Sequence, residues 1–182
     1  MTLKPELIPE PLWGISAATL LGRSSAAWRG IRADALSVAK ETCSACEATI
    51  PGGKYMVCDE LWSYDEDSGV ATLAGVRILC KPCDGARHFE RARQLGRAEE
   101  ALATLMRVNG ISRSEARELQ NAAGRDYHRR SLRIWVVQVD EGLQSRYPGL
   151  SGLVGKRGVP GEGQARMLQR DRRESLRRAV PK

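Results

Sequence analysis

Apolar side chains recur every three to four residues in several stretches of the chain, which places them on one face of a helix. Residues 25–40 form the first stretch, and a serine at its start is suited to cap the helix. Residues 97–108 form the second, and an Asn-Gly pair follows it as expected at a helix C-terminus. A Ser-x-x-Glu capping box at residues 112–115 predicts another helix that reaches about residue 133.

Alternating side chains at residues 54–62, and a second run at 70–79, predict two β-strands. The acidic segment between them, residues 65–69, is typical of a hairpin loop. A shorter apolar run at residues 134–139 is expected to add a further strand. The sequence therefore predicts an α+β fold in which a hairpin is flanked by helices.

Two Cys-x-x-Cys pairs carry the strongest chemical signal in the chain. Cys43 and Cys46 precede the predicted hairpin, and Cys80 and Cys83 follow it at the start of a helix expected to reach about residue 94. The hairpin would bring the pairs together, and four thiolates form the closed tetrahedral shell of a structural Zn²⁺. Iron is the next candidate metal, and redox thiols or unrelated cysteines are the alternatives to a metal site.

The net charge of +7 is confined to the C-terminal end of the sequence. Residues 1–145 contain 19 basic and 19 acidic side chains, whereas residues 146–182 contain 10 basic and 3 acidic ones. An excess of this kind favours contact with nucleic-acid phosphates. Residues 143–182 are also rich in Gly, Arg and Ser, so they are expected to form a basic, largely flexible tail with a weak helix near its end.

Four segments follow from these patterns. They are an N-terminal segment and helix at 1–42, a zinc-binding unit at 43–96, a helical extension at 97–142 and the basic tail at 143–182. No run approaches the about 20 apolar residues of a membrane-spanning helix. The first residues include prolines and acids rather than the apolar run of a signal peptide, so we expect a cytoplasmic protein.

Each Cys-x-x-Cys pair forms a tight turn of the kind called a zinc knuckle. The order of first knuckle, hairpin, second knuckle and helix resembles the HNH endonucleases of the ββα-metal, treble-clef type. The resemblance is to a bacterial subgroup with four cysteine ligands, and it covers about residues 8–143. Short motifs spread along the chain carry it. They are LIP…W at 7–13, Trp-x-Tyr-Asp at 62–65, Leu-Cys-x-x-Cys at 79–83, Gly-Arg at 96–97, Val-Asn-Gly at 108–110 and Arg-Ser…Trp at 130–135.

The resemblance implies phosphodiester hydrolysis with one divalent cation, a strand histidine as general base and a helix histidine at the metal. This chain has Asp59 in place of the strand histidine and Asp84 in place of the histidine after the fourth cysteine, whereas His88 matches the helix histidine. An ordinary Asp titrates near 3.9 and His near 6.5, so Asp59 is a far weaker base at neutral pH. Asp59, Glu60, Asp84 and His88 together offer oxygen-rich ligation for Mg²⁺ or Mn²⁺.

The sequence favours an HNH-like zinc protein that binds nucleic acid, with DNA expected first, and whose nuclease activity is weak or lost. An active divalent-metal-dependent endonuclease is the alternative. A protein-interaction module that docks a partner on the helical extension is the second alternative. The side chains expected to contact phosphates are arginines of the helix after the second knuckle and of the tail: Arg87, Arg91, Arg166, Arg170, Arg172, Arg173, Arg177 and Arg178.

Overall fold

A four-stranded sheet in the order β1-β2-β3-β4 organises the chain. The structure is a computed structural model that describes residues 2–179, with side chains described as far as residue 170. The strands of this sheet are β1 (Val57–Asp65), β2 (Val70–Leu79), β3 (Trp135–Val139) and β4 (Arg157–Gly158). β1 and β2 form the expected antiparallel hairpin, β3 runs parallel to β2, and β4 runs antiparallel to β3.

Helices cover the sheet and extend beyond it, so the predicted α+β class is confirmed. They are α1 (Ala17–Leu21), α2 (Ala26–Ala39), α3 (Lys81–Arg87), α4 (Phe89–Gln94), α5 (Ala98–Asn109), α6 (Arg113–Ser131), α7 (Glu141–Arg146) and α8 (Glu162–Ala179). Short 3-10 turns lie at Glu10–Leu12, Pro51–Gly53 and Pro148–Leu153.

Local capping signals set the helix ends where the sequence predicts them. The Ser25 hydroxyl accepts the Trp28 N–H at 3.0 Å and caps α2. Gly110 ends α5 with a left-handed φ of 64°. Ser112 and Glu115 form both halves of the capping box that begins α6. These interactions are local, so the sequence alone contains them.

A one-residue irregularity in the hairpin decides which side chains face each other. Near the hairpin tip Trp62 pairs with Leu73, but the next pair is Leu61 with Gly75, so Ala74 has no partner on β1. Such a bulge shifts the register by one residue for the rest of the ladder. Its consequence is that Asp59 lies opposite Arg77.

Two apolar clusters hold the elements together. The first lies where the sheet meets α1, α2 and the turn at Pro148–Leu153, and it includes the fully buried Leu73, Trp135 and Val137. The second surrounds the end of the hairpin, where Ile78 and three of the four knuckle cysteines pack with apolar residues of α5. The knuckles therefore form part of a core.

The C-terminal segment differs from the expected flexible tail. Leu150 and Leu153 are fully buried in the first cluster, and β4 closes the edge of the sheet. The Glu10 carboxylate accepts the N–H groups of Gly161 at 2.9 Å and Gln164 at 2.8 Å, which holds the start of α8 against the N-terminal 3-10 turn. The prediction of flexibility was wrong here because it rested on composition, and the buried leucines anchor this segment.

Glycines make that docking possible. A Cβ atom at Gly158 would lie 2.5 Å from the Pro11 carbonyl oxygen, and one at Gly163 would overlap the Glu10 carbonyl. Backbone therefore packs directly on backbone at both positions, which only glycine permits. The same glycines that suggest mobility in the sequence allow close approach in the fold.

Candidate functional site

The two Cys-x-x-Cys pairs meet at one end of the hairpin. The first pair lies on the loop between α2 and β1. In the second pair, Cys80 is the N-cap of α3 and Cys83 lies in its first turn. The Ser44 N–H donates to the Ile78 carbonyl at 2.9 Å, so the first loop is tied to the end of β2. The hairpin thus brings the pairs together, as the sequence predicts.

The four sulfur atoms have the spacing of a tetrahedral metal centre. All four lie within 4.8 Å of one another, and the Sγ atoms of Cys46 and Cys80 are 3.7 Å apart. Four Zn–S bonds of about 2.3 Å in a tetrahedron place the sulfurs about 3.8 Å apart. All five cysteines of the chain are free thiols, and Cys43 and Cys83 are fully buried. The cluster could therefore hold a metal ion such as zinc.

Hydrogen bonding to sulfur already favours a thiolate at one position of the cluster. The Cys83 thiol, followed by backbone N–H groups, lowers the pKa of Cys43 to about 4. One of those N–H groups belongs to Cys80 and lies 3.3 Å from the Cys43 sulfur. Burial raises the pKa of Cys80 to about 11, and the bond to Cys43 raises the pKa of Cys83. A divalent cation would supply the charge that lets the remaining thiols ionise.

A second group of potential ligands lies beside α3. Asp59, Asp84 and His88 bring one ligand atom each to within 4.8 Å of one another. The Nε2 atom of His88 lies 3.0 Å from Oδ1 of Asp59 and 3.8 Å from Oδ1 of Asp84. The helix expected after Cys80 breaks into α3 and α4 at His88, which has φ −99° and ψ 50°. Three of the four predicted catalytic residues therefore come together.

Glu60 is the one that does not join them. Neighbouring strand residues point to opposite faces of a sheet, and the Glu60 carboxylate instead accepts the Ala18 N–H and the Trp62 indole N–H, each at 3.2 Å. Burial raises the pKa of Glu60. Its interactions make it a cap for α1 rather than a ligand beside Asp59.

Two arginines surround Asp59. Its Oδ2 atom lies 3.0 Å from Nε of Arg77 and 2.8 Å from Nε of Arg87, and Arg87 also pairs with Glu6. Burial tends to raise the pKa of Asp59, but the His88 hydrogen bond and the charges of Arg87, His88 and Arg77 together hold it below its ordinary value. Burial raises the pKa of Asp84 and of Glu6. Asp59 is thus an ionised carboxylate whose Oδ2 atom lies between two guanidinium groups and whose Oδ1 atom faces His88.

The arginines expected to contact phosphates fall into different environments. Arg87 is only 6% exposed and lies in the ion-pair network, which contradicts its expected position facing a phosphate, whereas Arg91 is exposed. Arg166 donates to the carbonyls of Trp13 and Pro11 and pairs with Glu162, so it helps to dock α8. The structure describes Arg170, partly exposed on α8. The side chains of Arg172, Arg173, Arg177 and Arg178 lie outside the described ones.

Sequence reasoning missed Glu6 and Arg77 as members of this network. Counting back from the hairpin tip would place Val76 opposite Asp59, and only the bulge at Ala74 moves Arg77 there. No local signal points to Glu6, because it reaches Arg87 from the far N-terminal segment.

No family model, curated protein or solved structure matches this chain. Within residues 2–179, no helix combines the length and apolar character needed to cross a bilayer.

Removal of the metal should unfold the hairpin end of the protein. Structural zinc contributes about 10–16 kcal/mol in small zinc-folded peptides, as much as or more than the about 5–15 kcal/mol that stabilises a typical domain. We expect one metal ion per chain by elemental analysis, and a large fall in thermal midpoint in strong chelator or in Cys83→Ser. Cys58→Ala, at the half-buried fifth cysteine, is the matched control and should keep the metal. Metal-free protein that stays folded in chelator would contradict the centre.

Loss of the Asp59 charge should destabilise the fold in a pH-dependent way. Asp59→Asn leaves Arg77 and Arg87 without this buried partner, which we expect to cost about 3–5 kcal/mol of unfolding free energy at pH 7. Because the pKa of Asp59 is lowered on folding, its contribution is complete above about 3.9 and disappears as pH falls through the folded pKa. The difference in unfolding free energy between wild type and variant, measured in denaturant titrations, should thus stay constant from pH 8 to 5 and decrease at lower pH. The exposed hairpin substitution Asp67→Asn should change stability by less than about 0.5 kcal/mol.

Proposed function

We propose that this protein binds nucleic acid, DNA first, on a zinc-held HNH-like scaffold that has lost efficient cleavage. The single observation that supports the loss of cleavage is that nitrogen atoms of three side chains crowd the Asp59 carboxylate. Its two carboxylate oxygens face Arg77, Arg87 and His88 at 2.8–3.0 Å. An aspartate whose negative charge is already shared with two guanidinium groups is a weak general base and a weak cation ligand.

The treble-clef assignment rests on the order and placement of the knuckles. The first pair of cysteines lies before the hairpin, and the second pair opens the helix that follows it. The sulfurs lie within 4.8 Å of one another, which supports zinc as the ion. This ββα arrangement, together with the HNH-like motifs, is the basis for proposing a nucleic-acid-binding scaffold.

Electrostatics argues against a catalytic cation beside Asp59. Two unit charges at 4 Å interact with about 4 kcal/mol at an effective dielectric constant of 20. A dication beside His88 would share the Asp59 carboxylate with two guanidinium groups, so their repulsion would offset part of the attraction of Asp59 and Asp84. Its binding would also have to break the 3.0 Å contact between Nε2 of His88 and Oδ1 of Asp59.

Charge distribution supports nucleic acid as the ligand. Residues 146–182 carry the whole net charge of +7, and α8 extends from the docked Glu10 cap to Ala179. Arginine pairs with phosphate in a bidentate geometry, and each such pair releases counterions. A helix held firmly at one end can present a row of arginines along a nucleic-acid backbone.

Neutralising the distal arginines of α8 should weaken binding in a salt-dependent way. The variant Arg172→Gln, Arg173→Gln, Arg177→Gln and Arg178→Gln leaves the docking residue Arg166 in place. For duplex DNA in a gel shift, we expect weaker binding at low salt and a shallower slope of log K against log salt. The slope should change by up to about 0.9 for each phosphate that the variant no longer neutralises.

An equal number of exposed arginines elsewhere provides the charge-matched control: Arg23→Gln, Arg29→Gln, Arg107→Gln and Arg117→Gln. This control removes the same total charge and leaves α8 intact. Equal weakening of DNA binding in both variants would remove the special role of α8.

An active endonuclease is the second candidate, because Asp59, Asp84 and His88 do converge. The primary proposal predicts no nicking of supercoiled plasmid with Mg²⁺, Mn²⁺ or Ni²⁺ above the level of buffer alone. Nicking that disappears in His88→Ala and survives in His128→Ala, at the other histidine, on α6, would instead establish the active enzyme. Nicking that persists in both variants would indicate a contaminant.

A further inference from the structure

An exposed aromatic ring lies beside the metal centre. Tyr55 is 60% exposed, although its neighbour Met56 is buried in the core that contains the knuckle cysteines. The Nζ atoms of Lys54 and Lys81 lie 5.2 and 4.4 Å from the centre of the Tyr55 ring. Lys81 directly follows Cys80 at the start of α3, so the ring lies against the second knuckle.

The backbone at Tyr55 is in a conformation that the residue disfavours. Its φ is 71°, in the left-handed region that glycine or asparagine adopts at much lower cost. Both flanks of the turn are fixed: Gly53 packs on the Leu36 side chain, and the Met56 carbonyl accepts a hydrogen bond from Arg32 at 3.1 Å. A bulky residue with positive φ that stays 60% exposed gains little burial to offset this cost. Strain of this kind is concentrated at functional sites.

We infer that Tyr55 is a stacking platform for an unpaired base of single-stranded nucleic acid, with Lys54 and Lys81 as the contacts to the flanking phosphates. This inference rests on the proposed nucleic-acid-binding function and names the ligand chemistry of one surface. An aromatic ring set among cations is the arrangement by which single strands are held, the ring against a base and the cations against the backbone.

A base can bind Tyr55 only if it replaces the lysines on the ring, and the relative strengths of the two interactions favour this replacement. An exposed cation–π interaction is typically weaker than the stacking of a base on an aromatic side chain. The lysine side chains are both exposed, so they can leave the ring and bind phosphate while a base takes their place. The turn that carries the ring is packed at one flank and hydrogen-bonded at the other, so its backbone loses little conformational entropy on binding.

The test compares ring-free variants on two single-stranded probes of equal length and charge, a fluorescein-labelled thymidine dodecamer and its abasic counterpart. Tyr55→Gly should bind the thymidine probe about 5- to 100-fold more weakly. Its affinity for the abasic probe should stay close to that of wild type. Tyr55→Trp should retain wild-type affinity for the thymidine probe. Leu132→Asn, at an exposed apolar residue on the C-terminal end of α6, is the control and should leave both affinities unchanged.

Stability and metal content separate a binding role from a folding role. Glycine and asparagine both accept positive φ, so Tyr55→Gly and Tyr55→Asn should keep the metal and a thermal midpoint at or above that of wild type. If Tyr55→Gly binds the thymidine probe like wild type, or loses affinity equally for both probes, the stacking role is wrong while the proposed function stands. If wild type binds neither these probes nor duplex DNA, both proposals are wrong.

Discussion

The convergence of four sulfur atoms is the constraint on which the rest of the structure depends. Two of them lie on a loop after α2 and two at the start of α3, and no disulfide joins any of the five cysteines. The Cys83 thiol and backbone N–H groups lower the pKa of Cys43, and a second thiolate so close to it would be repelled unless a cation lay between them. A metal ion shared by the four sulfurs would fix both ends of the hairpin and the direction of α3. The positions of Asp59 on β1 and of His88 at the end of α3 follow from that arrangement.

The ion-pair network beside α3 brings potential metal ligands together but also pairs one of them, Asp59, with arginines. Asp59, Asp84 and His88 lie close enough to share a cation, but Arg77 and Arg87 both pair with one oxygen of Asp59. A buried carboxylate that is paired in this way stays ionised and stabilises the fold. Its removal would leave the guanidinium groups of Arg77 and Arg87 without this buried counter-charge. The network therefore favours a structural role for this carboxylate, in agreement with a protein that binds without cutting.

Local signals in the sequence predicted most of the secondary structure and the meeting of the two Cys-x-x-Cys pairs. The serine cap of α2, the capping box of α6 and the left-handed end of α5 each depend on a few adjacent residues, and the cysteine spacing is equally local. Features that depend on distant segments could not be predicted. The bulge that sets Arg77 opposite Asp59 leaves no clear composition signal, and the burial of Arg87 depends on Glu6 from the N-terminal segment. The Gly-rich composition of the C-terminal segment suggested mobility, because composition does not reveal its contacts with α1 and with Glu10.

The N-terminal segment connects the parts of the protein to which functions are assigned. Leu3 exchanges two hydrogen bonds of 2.8 Å with Asn109 at the end of α5. Glu6 pairs with Arg87 in the network beside Asp59, and its N–H donates to the Arg87 carbonyl at 2.9 Å. Glu10 then caps α8. Because these contacts follow one another along a short extended stretch, α8 cannot shift far without disturbing the contacts of α3. The first turn of α8 is therefore anchored to the same segment that contacts α3, so any ligand bound by the start of α8 would lie at a defined distance from the network beside Asp59.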